Sequence, residues 1–141
     1  MPSITALAPA HRDFLAHLNV ASVATTDDDG APRQTVTWFR LEADDRVLIN
    51  GRLPRRWCAN LARDPRVSLA IVDANDSLRW LGLSGVVAEV INDDSAKDDI
   101  VALAHRYASG SPDEAMVARF RTQPRISYRV RVTGIHDHLA G

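Results

Sequence analysis

The sequence has a single cysteine, Cys58, so no disulfide can form within the chain, and one thiol cannot by itself make a zinc site. It has no excess of either charge. Seventeen Lys and Arg against 18 Asp and Glu give a net charge of -1, which offers no basic field for a nucleic acid. Long apolar runs are missing as well, and nothing approaches the ~20 residues needed to cross a bilayer. The stretch from Met1 to Val20 is interrupted by Pro2, Pro9, His11, Arg12 and Asp13, unlike the apolar segment of a signal peptide, so a cytoplasmic location is expected. No G-x-G-x-x-G follows a strand, which disfavours a parallel dinucleotide-binding sheet. No Ser-His-Asp set, carboxylate pair or metal-ligand cluster stands out, so no catalytic residue and no metal site are assigned. What remains is an ordinary globular composition, 45% apolar and 25% charged, over 141 residues that suit one domain, 1–141.

The pattern along the chain is mainly β with accessory helices. Pro9 to Leu18 reads as a short helix with Phe14, Leu15 and Leu18 on one side. Val20 to Thr26 is a strand, and Asp27-Asp28-Asp29-Gly30 a tight Asp-Gly turn into a return strand from about Pro32 to Leu41. Ala43-Asp44-Asp45 turns the chain into a third strand, Arg46 to Asn50. A helix from Pro54 to Arg63 is stopped by Asp64-Pro65, because the residue before a proline is pushed out of the α region. Val67 to Val72 and Leu78 to Ile91 follow as strands, the second holding Gly82 and Gly85, which mark a bulge, a bend or a close backbone approach. Asp93 or Asp94 caps a helix over Ser95 to Ala108, and Asp113 to Phe120 forms another. The last strand starts at Arg125, with Ile126, Tyr128, Val130 and Val132 on one face. Tight turns between neighbouring strands, with one helix inserted between them, favour a six-stranded antiparallel barrel.

The segment richest in chemical signal is Asn50-Gly51-Arg52-Leu53-Pro54-Arg55-Arg56-Trp57, where a strand ends and a helix begins. Three arginines at a helix N-terminus oppose the helix dipole by about 0.3–1 kcal/mol each, a placement that makes sense if they face an anion. Free amides, dipole and guanidinium forks would then favour the same phosphate. Solvated arginines on a surface helix are the alternative from charge alone.

The ordered set Asp29-Gly30-Ala31-Pro32, Pro54-Arg55, Asn60-Leu61, Asp64-Pro65-Arg66 and Arg79-Trp80-Leu81-Gly82-Leu83-Ser84-Gly85 resembles the flavin/deazaflavin oxidoreductase superfamily, the pyridoxamine phosphate oxidase-like split β-barrels. Within it the chain is most similar to the branch that uses coenzyme F420, including biliverdin-reductase-like members. The resemblance implies a homodimer of split barrels with the cofactor, F420 or alternatively FMN, in the groove between them. It also implies a reductase passing hydride to a conjugated small-molecule acceptor. Arg55 would contact the phosphate or tail, with Asn50, Gly51, Arg52, Pro54, Arg56 and Asn60 around it. Arg33, Gln34, Thr35, Val36 and Thr37 would line the ring system. Trp38 and Trp80 would stack on the acceptor, Trp80 from the partner or the substrate face. Where many deazaflavin-using relatives carry a lysine, this chain has Trp57, either a stacking ring or the buried face of the helix. A planar-anion binder without turnover, holding FMN or haem, is the alternative function.

Exposed Trp38-Phe39 and Trp80 strands would leave an apolar patch for a dimer to cover. His136 and His138 share a strand face, but two imidazoles without a third ligand do not define a metal site, and an exposed or hydrogen-bonded pair is the plainer reading. Cys58 lies near Arg55 and Arg56, where a packed, inert thiol is the common outcome.

Overall fold

The computed structural model describes residues 6–140; Met1 to Thr5, including the Pro2 noted above, and Gly141 lie outside them. Among the described residues, seven antiparallel strands form one sheet in the order β2-β1-β5-β6-β7-β4-β3, with β1 at Ala21–Thr26, β2 at Pro32–Thr37, β3 at Phe39–Leu41, β4 at Val47–Arg52, β5 at Arg66–Asp73, β6 at Asp76–Ile91 and β7 at Arg125–His138. Four helices accompany it: α1 Pro9–Leu15, α2 Arg56–Arg63, α3 Asp94–Tyr107 and α4 Glu114–Thr122. This is a curled, mainly β split barrel.

The expected return strand from Pro32 to Leu41 is broken at Trp38, so there are seven strand segments where six were expected. β2 pairs with β1, whereas β3 pairs with β4. The two ends of the sheet are therefore joined by one residue, and the sheet must curl to bring them together. Backbone groups that leave a ladder need other partners. The last turn of α3 supplies them. The Tyr107 hydroxyl accepts from the Phe39 amide at 3.3 Å and donates to the Asn19 carbonyl at 2.5 Å, while the Arg106 guanidinium donates to the carbonyls of Phe39, Leu15 and His17.

Local signals account for most of the remaining geometry. At the Asp-Gly turn, Gly30 takes φ 88°, a left-handed conformation that glycine adopts without steric cost. Asp93 and Asp113 cap α3 and α4 by accepting from the amides of Ser95 and Ala115. Gly85 sits at a register shift between β6 and β7, where a methyl group would come within 2.5 Å of Val130 Cγ1. Inside the curl, Val23, Phe39, Ile49, Leu69, Ile71, Leu83, Tyr128 and Val130 form the core, closed at one end by Phe14 and Leu15.

Several boundaries differ from expectation by one to three residues, three of them with a clear cause. α1 stops at Leu15 and leaves Leu18 exposed, because the chain turns to bring Asn19 to Tyr107 and to the Ala74 amide. β4 runs two residues further, to Arg52, since β7 offers pairing partners as far as Arg125. α2 starts at Arg56 with an extended Arg55 as its N-cap, so Pro54, preceded by a cis peptide, lies outside the helix. None of the described helices is long and apolar enough to cross a membrane.

Candidate functional site

A cleft of about 240 Å³ opens where the sheet's two ends approach each other. One wall is the end of β2, at Thr35, Val36 and Thr37, running into Trp38. As the sheet edge, β2 is laddered only to β1. Trp38 is held as a rigid plate, stacked on Tyr107 at 5.3 Å with planes 11° apart, and met edge-on by Phe120 at 6.3 Å. The floor is formed by Asn50, Trp57 and Arg125, with Arg55 at the rim; Val20, Ile100 and Phe120 complete the lining.

Arg125 is only 9% exposed, an unusual place for a guanidinium. Its Nε donates to Asn50 Oδ1 at 2.9 Å and its Nη1 to Gln123 Oε1 at 2.9 Å, and the group lies 5.2 Å over the Phe120 ring. Asn50 is itself fixed. Its Nδ2 donates to the Ala96 carbonyl and to Ser127 Oγ, which in turn donates to Asp99, so Oδ1 is the atom turned to Arg125. Burial, with Arg55 and Arg52 nearby, pushes the Arg125 pKa down to about 10, still a cation at neutral pH. Arg52 faces Arg125 across the β4–β7 ladder. Among the described residues, none of Arg52, Arg55 and Arg125 has a carboxylate at ion-pair distance. Three positive charges therefore meet beside the N-terminus of α2 without a counter-charge.

The other arginines of this region have a different fate. Arg33 forks onto Asp27 at 2.9 and 3.1 Å, Asn60 donates to the same carboxylate at 2.8 Å and to Thr25 Oγ1 at 3.1 Å, and Arg56 approaches it at 3.8 Å. The hydrogen bonds from Arg33 and then Asn60 hold the Asp27 carboxyl below its ordinary pKa. Arg33, Arg56 and Asn60 thus tie the first hairpin to α2 and do not line the cleft.

The remaining expected residues divide as follows. Thr35, Val36, Thr37, Trp38, Asn50, Arg55 and Trp57 are brought together in the cleft. Gly51, Arg52 and Pro54 flank it on the chain. Gln34 points away, toward Ser22 at 3.4 Å, in a shallow groove on the other face of the sheet. Trp80 lies near the start of β6, stacked on His138 at 4.5 Å, and does not line this chain's cleft. Trp57 is 5% exposed and packs on Tyr128, as the buried face of α2. Gly51 makes this possible, since a methyl group there would overlap the Trp57 ring and come within 2.5 Å of Cys58 Sγ. Cys58 is buried, and burial raises its thiol pKa, the opposite of a reactive thiolate. The expected Trp38-Phe39 patch is absent because α3 and α4 cover it: Phe39 is fully buried, and the exposed apolar side chains at the cleft are Val20 and Val36. Arg125 is the residue that sequence reasoning missed. Its signal is a cross-strand neighbour 73 positions away, visible only once β4 and β7 are in register.

The family described as Pyridoxamine 5'-phosphate oxidase matches residues 7–136. The chain belongs to that family. Its fold agrees with that of several solved structures. An "F420 Reductase" is 20% identical with a TM-score of 0.75, the alignment covering 92% of this chain and 98% of that one. A conserved hypothetical protein from Mycobacterium tuberculosis is 24% identical with a TM-score of 0.74, covering 96% and 88%. HutZ, described as a haem storage protein from Vibrio cholerae, is 17% identical with a TM-score of 0.70, covering 94% and 95%. At these identities the likeness is one of fold. No curated protein matches the sequence.

Proposed function

We propose that this pyridoxamine 5'-phosphate oxidase family member is an oxidoreductase that holds a deazaflavin or flavin cofactor in the cleft, coenzyme F420 in the first reading and FMN in the second. The observation that carries the reading is the uncompensated group of Arg52, Arg55 and Arg125. Arg125 is buried with only neutral hydrogen-bond partners, which costs several kcal/mol, whereas Arg55 is exposed and Arg52 half-buried; a bound phosphate would offset the Arg125 penalty and meet the other two charges at the rim. Arg125 also answers the departure at Trp57: the anion site keeps a second cation, supplied by β7 in place of a lysine on α2.

The flat part of such a cofactor would lie along β2, where the open ladder edge and the Thr35 and Thr37 side chains offer hydrogen bonds and Trp38 offers a rigid apolar face. A reduced deazaflavin or flavin supplies the hydride, and the chain's own residues bind, orient and exclude water. Arg55 and Arg125 anchor the anion, Asn50 holds Arg125 in place, and Trp38 with Phe120 walls off one side of the ring. The cleft is open beyond Val20 and Val36, which are 48% and 67% exposed, and a second copy of the chain in a homodimer would cover that rim.

Titration with F420 and with FMN, followed by fluorescence, tests the cofactor: saturable micromolar binding of one of them is expected, and no binding of either defeats the reading. Mixing the loaded protein, with its cofactor reduced, with enones, quinones and biliverdin tests turnover. Acceptor-dependent reoxidation is expected, and binding without it would leave a planar-anion binder.

A further inference from the structure

Outside the cleft lining, three aromatic rings pack together on the outer face of the β6–β7 pair. Trp80 and His138 face each other across the ladder, as do Gly82 and His136. The His138 ring stacks on Trp80 at 4.5 Å with planes 16° apart, and His136 meets Trp80 at 4.9 Å. Gly82 leaves the room for this arrangement: a methyl group there would stand 3.2 Å from the Trp80 ring and 3.3 Å from His136 Cβ. Both histidines are exposed, and neither has a hydrogen bond or ion pair among the described residues. By contrast, His11 and His17 are bonded to Asp137 and to the Asp13 carbonyl. Asp137, between the two exposed histidines, points to the opposite face.

We propose that His136 and His138 form a surface two-imidazole site for a divalent late first-row metal ion, copper(II) in preference to nickel(II) or zinc(II), with water in the remaining positions. Residues i and i+2 of a strand project from the same face. The two ring centres are 5.0 Å apart, with planes at 62°. A metal about 2.0–2.1 Å from a ring nitrogen lies about 3.2 Å from that ring's centre, so with one nitrogen of each edge-to-face ring turned to the same ion this spacing allows a nitrogen–metal–nitrogen angle of roughly 100°. That falls between the square-planar and tetrahedral values, as needed for two cis ligands on one ion. Stacking on Trp80 restricts the His138 ring before metal arrives, which lowers the entropy lost on binding. No group of three or more His, Cys, Asp or Glu side chains suited to a metal occurs among the described residues, so these two imidazoles are the only protein ligands proposed. Imidazole ligands suit copper, nickel and zinc, and among divalent ions copper(II) binds most tightly at such a site.

The probe is copper(II) chloride added to the full chain, read by tryptophan fluorescence and by electron paramagnetic resonance. Saturable quenching at one equivalent per chain is expected, with nitrogen hyperfine structure from two imidazoles. His136→Ala and His138→Ala should each weaken binding about tenfold or more, an amount within the reach of losing one of two ligands. Trp80→Phe should remove most of the quenching while leaving the resonance signal. His11→Ala should change neither. Quenching that survives both His136→Ala and His138→Ala, or binding by the unaltered chain no tighter than millimolar, would overturn the proposal.

Discussion

Two groups of arginines lie within one short stretch of the fold and meet opposite ends. Around Asp27, Arg33 and Arg56 with Asn60 share a carboxylate, and the result is a strut between the first hairpin and α2. Around Asn50, Arg125 donates only to neutral acceptors, and Arg55 and Arg52 lie close enough to lower its pKa, with no carboxylate at ion-pair distance from any of the three among the described residues. The same residue type serves as scaffold where its charge is cancelled and as a candidate anion anchor where it is not. Counting arginines near a helix N-terminus therefore says little; what matters is which of them lacks a carboxylate.

The largest expected effect tests the uncancelled group. Arg125→Gln should weaken binding of the phosphate-bearing cofactor about 10- to 100-fold, the equivalent of one charge-assisted hydrogen bond at about 1.5–3 kcal/mol. Fluorescence titration measures it, and an unchanged affinity would erase the distinction between the two groups. Next comes the ring that floors the cleft. Gly51→Ala forces Trp57 and Cys58 to move and should destabilise the chain by about 1–3 kcal/mol, as overpacking of a filled core does, read from urea denaturation. The cancelled group should behave in the opposite way to Arg125. Asp27→Asn should lower Tm while leaving cofactor affinity within about twofold, since the residues it releases do not reach the cleft.

The smallest effect is in the acid limb of stability. Folding holds the Asp27 carboxyl below its ordinary value of 3.8, so in the unfolded chain it takes up protons first as pH falls. Its contribution is complete above about pH 4 and is lost as pH drops through the depressed folded value. Asp27→Asn should flatten that limb when Tm is measured from pH 5 downward. An acid limb as steep as that of the unaltered chain would mean that Asp27 is not the counter-charge it is taken to be.

Much of the barrel was legible from local pattern. The Asp-Gly turn, the aspartate caps of α3 and α4, the helix stop at Asp64-Pro65 and the alternation after Arg125 all act within a few residues, and each element lies close to its expected span. The split at Trp38 was not legible, because a continuous β-rich run looks the same whether it pairs with one neighbour or two. Only Tyr107 and Arg106, some 67 to 69 positions away, show why the ladder changes sides there. The candidate site was half legible. Thr35 to Trp38, Asn50, Arg55 and Trp57 line one cleft, while Arg33, Arg56 and Asn60 turn to Asp27, and Gln34 and Trp80 lie outside the lining.

The sequence by itself determined the strands, their turns and the presence of an arginine-rich strand-to-helix junction, because propensity, capping and alternation are set by near neighbours. The tertiary structure alone decided which arginines are neutralised. Coulomb energy depends on distance through space, and only the β4–β7 pairing brings Arg125 to Arg52 and Asn50 while α2 carries Arg56 to Asp27.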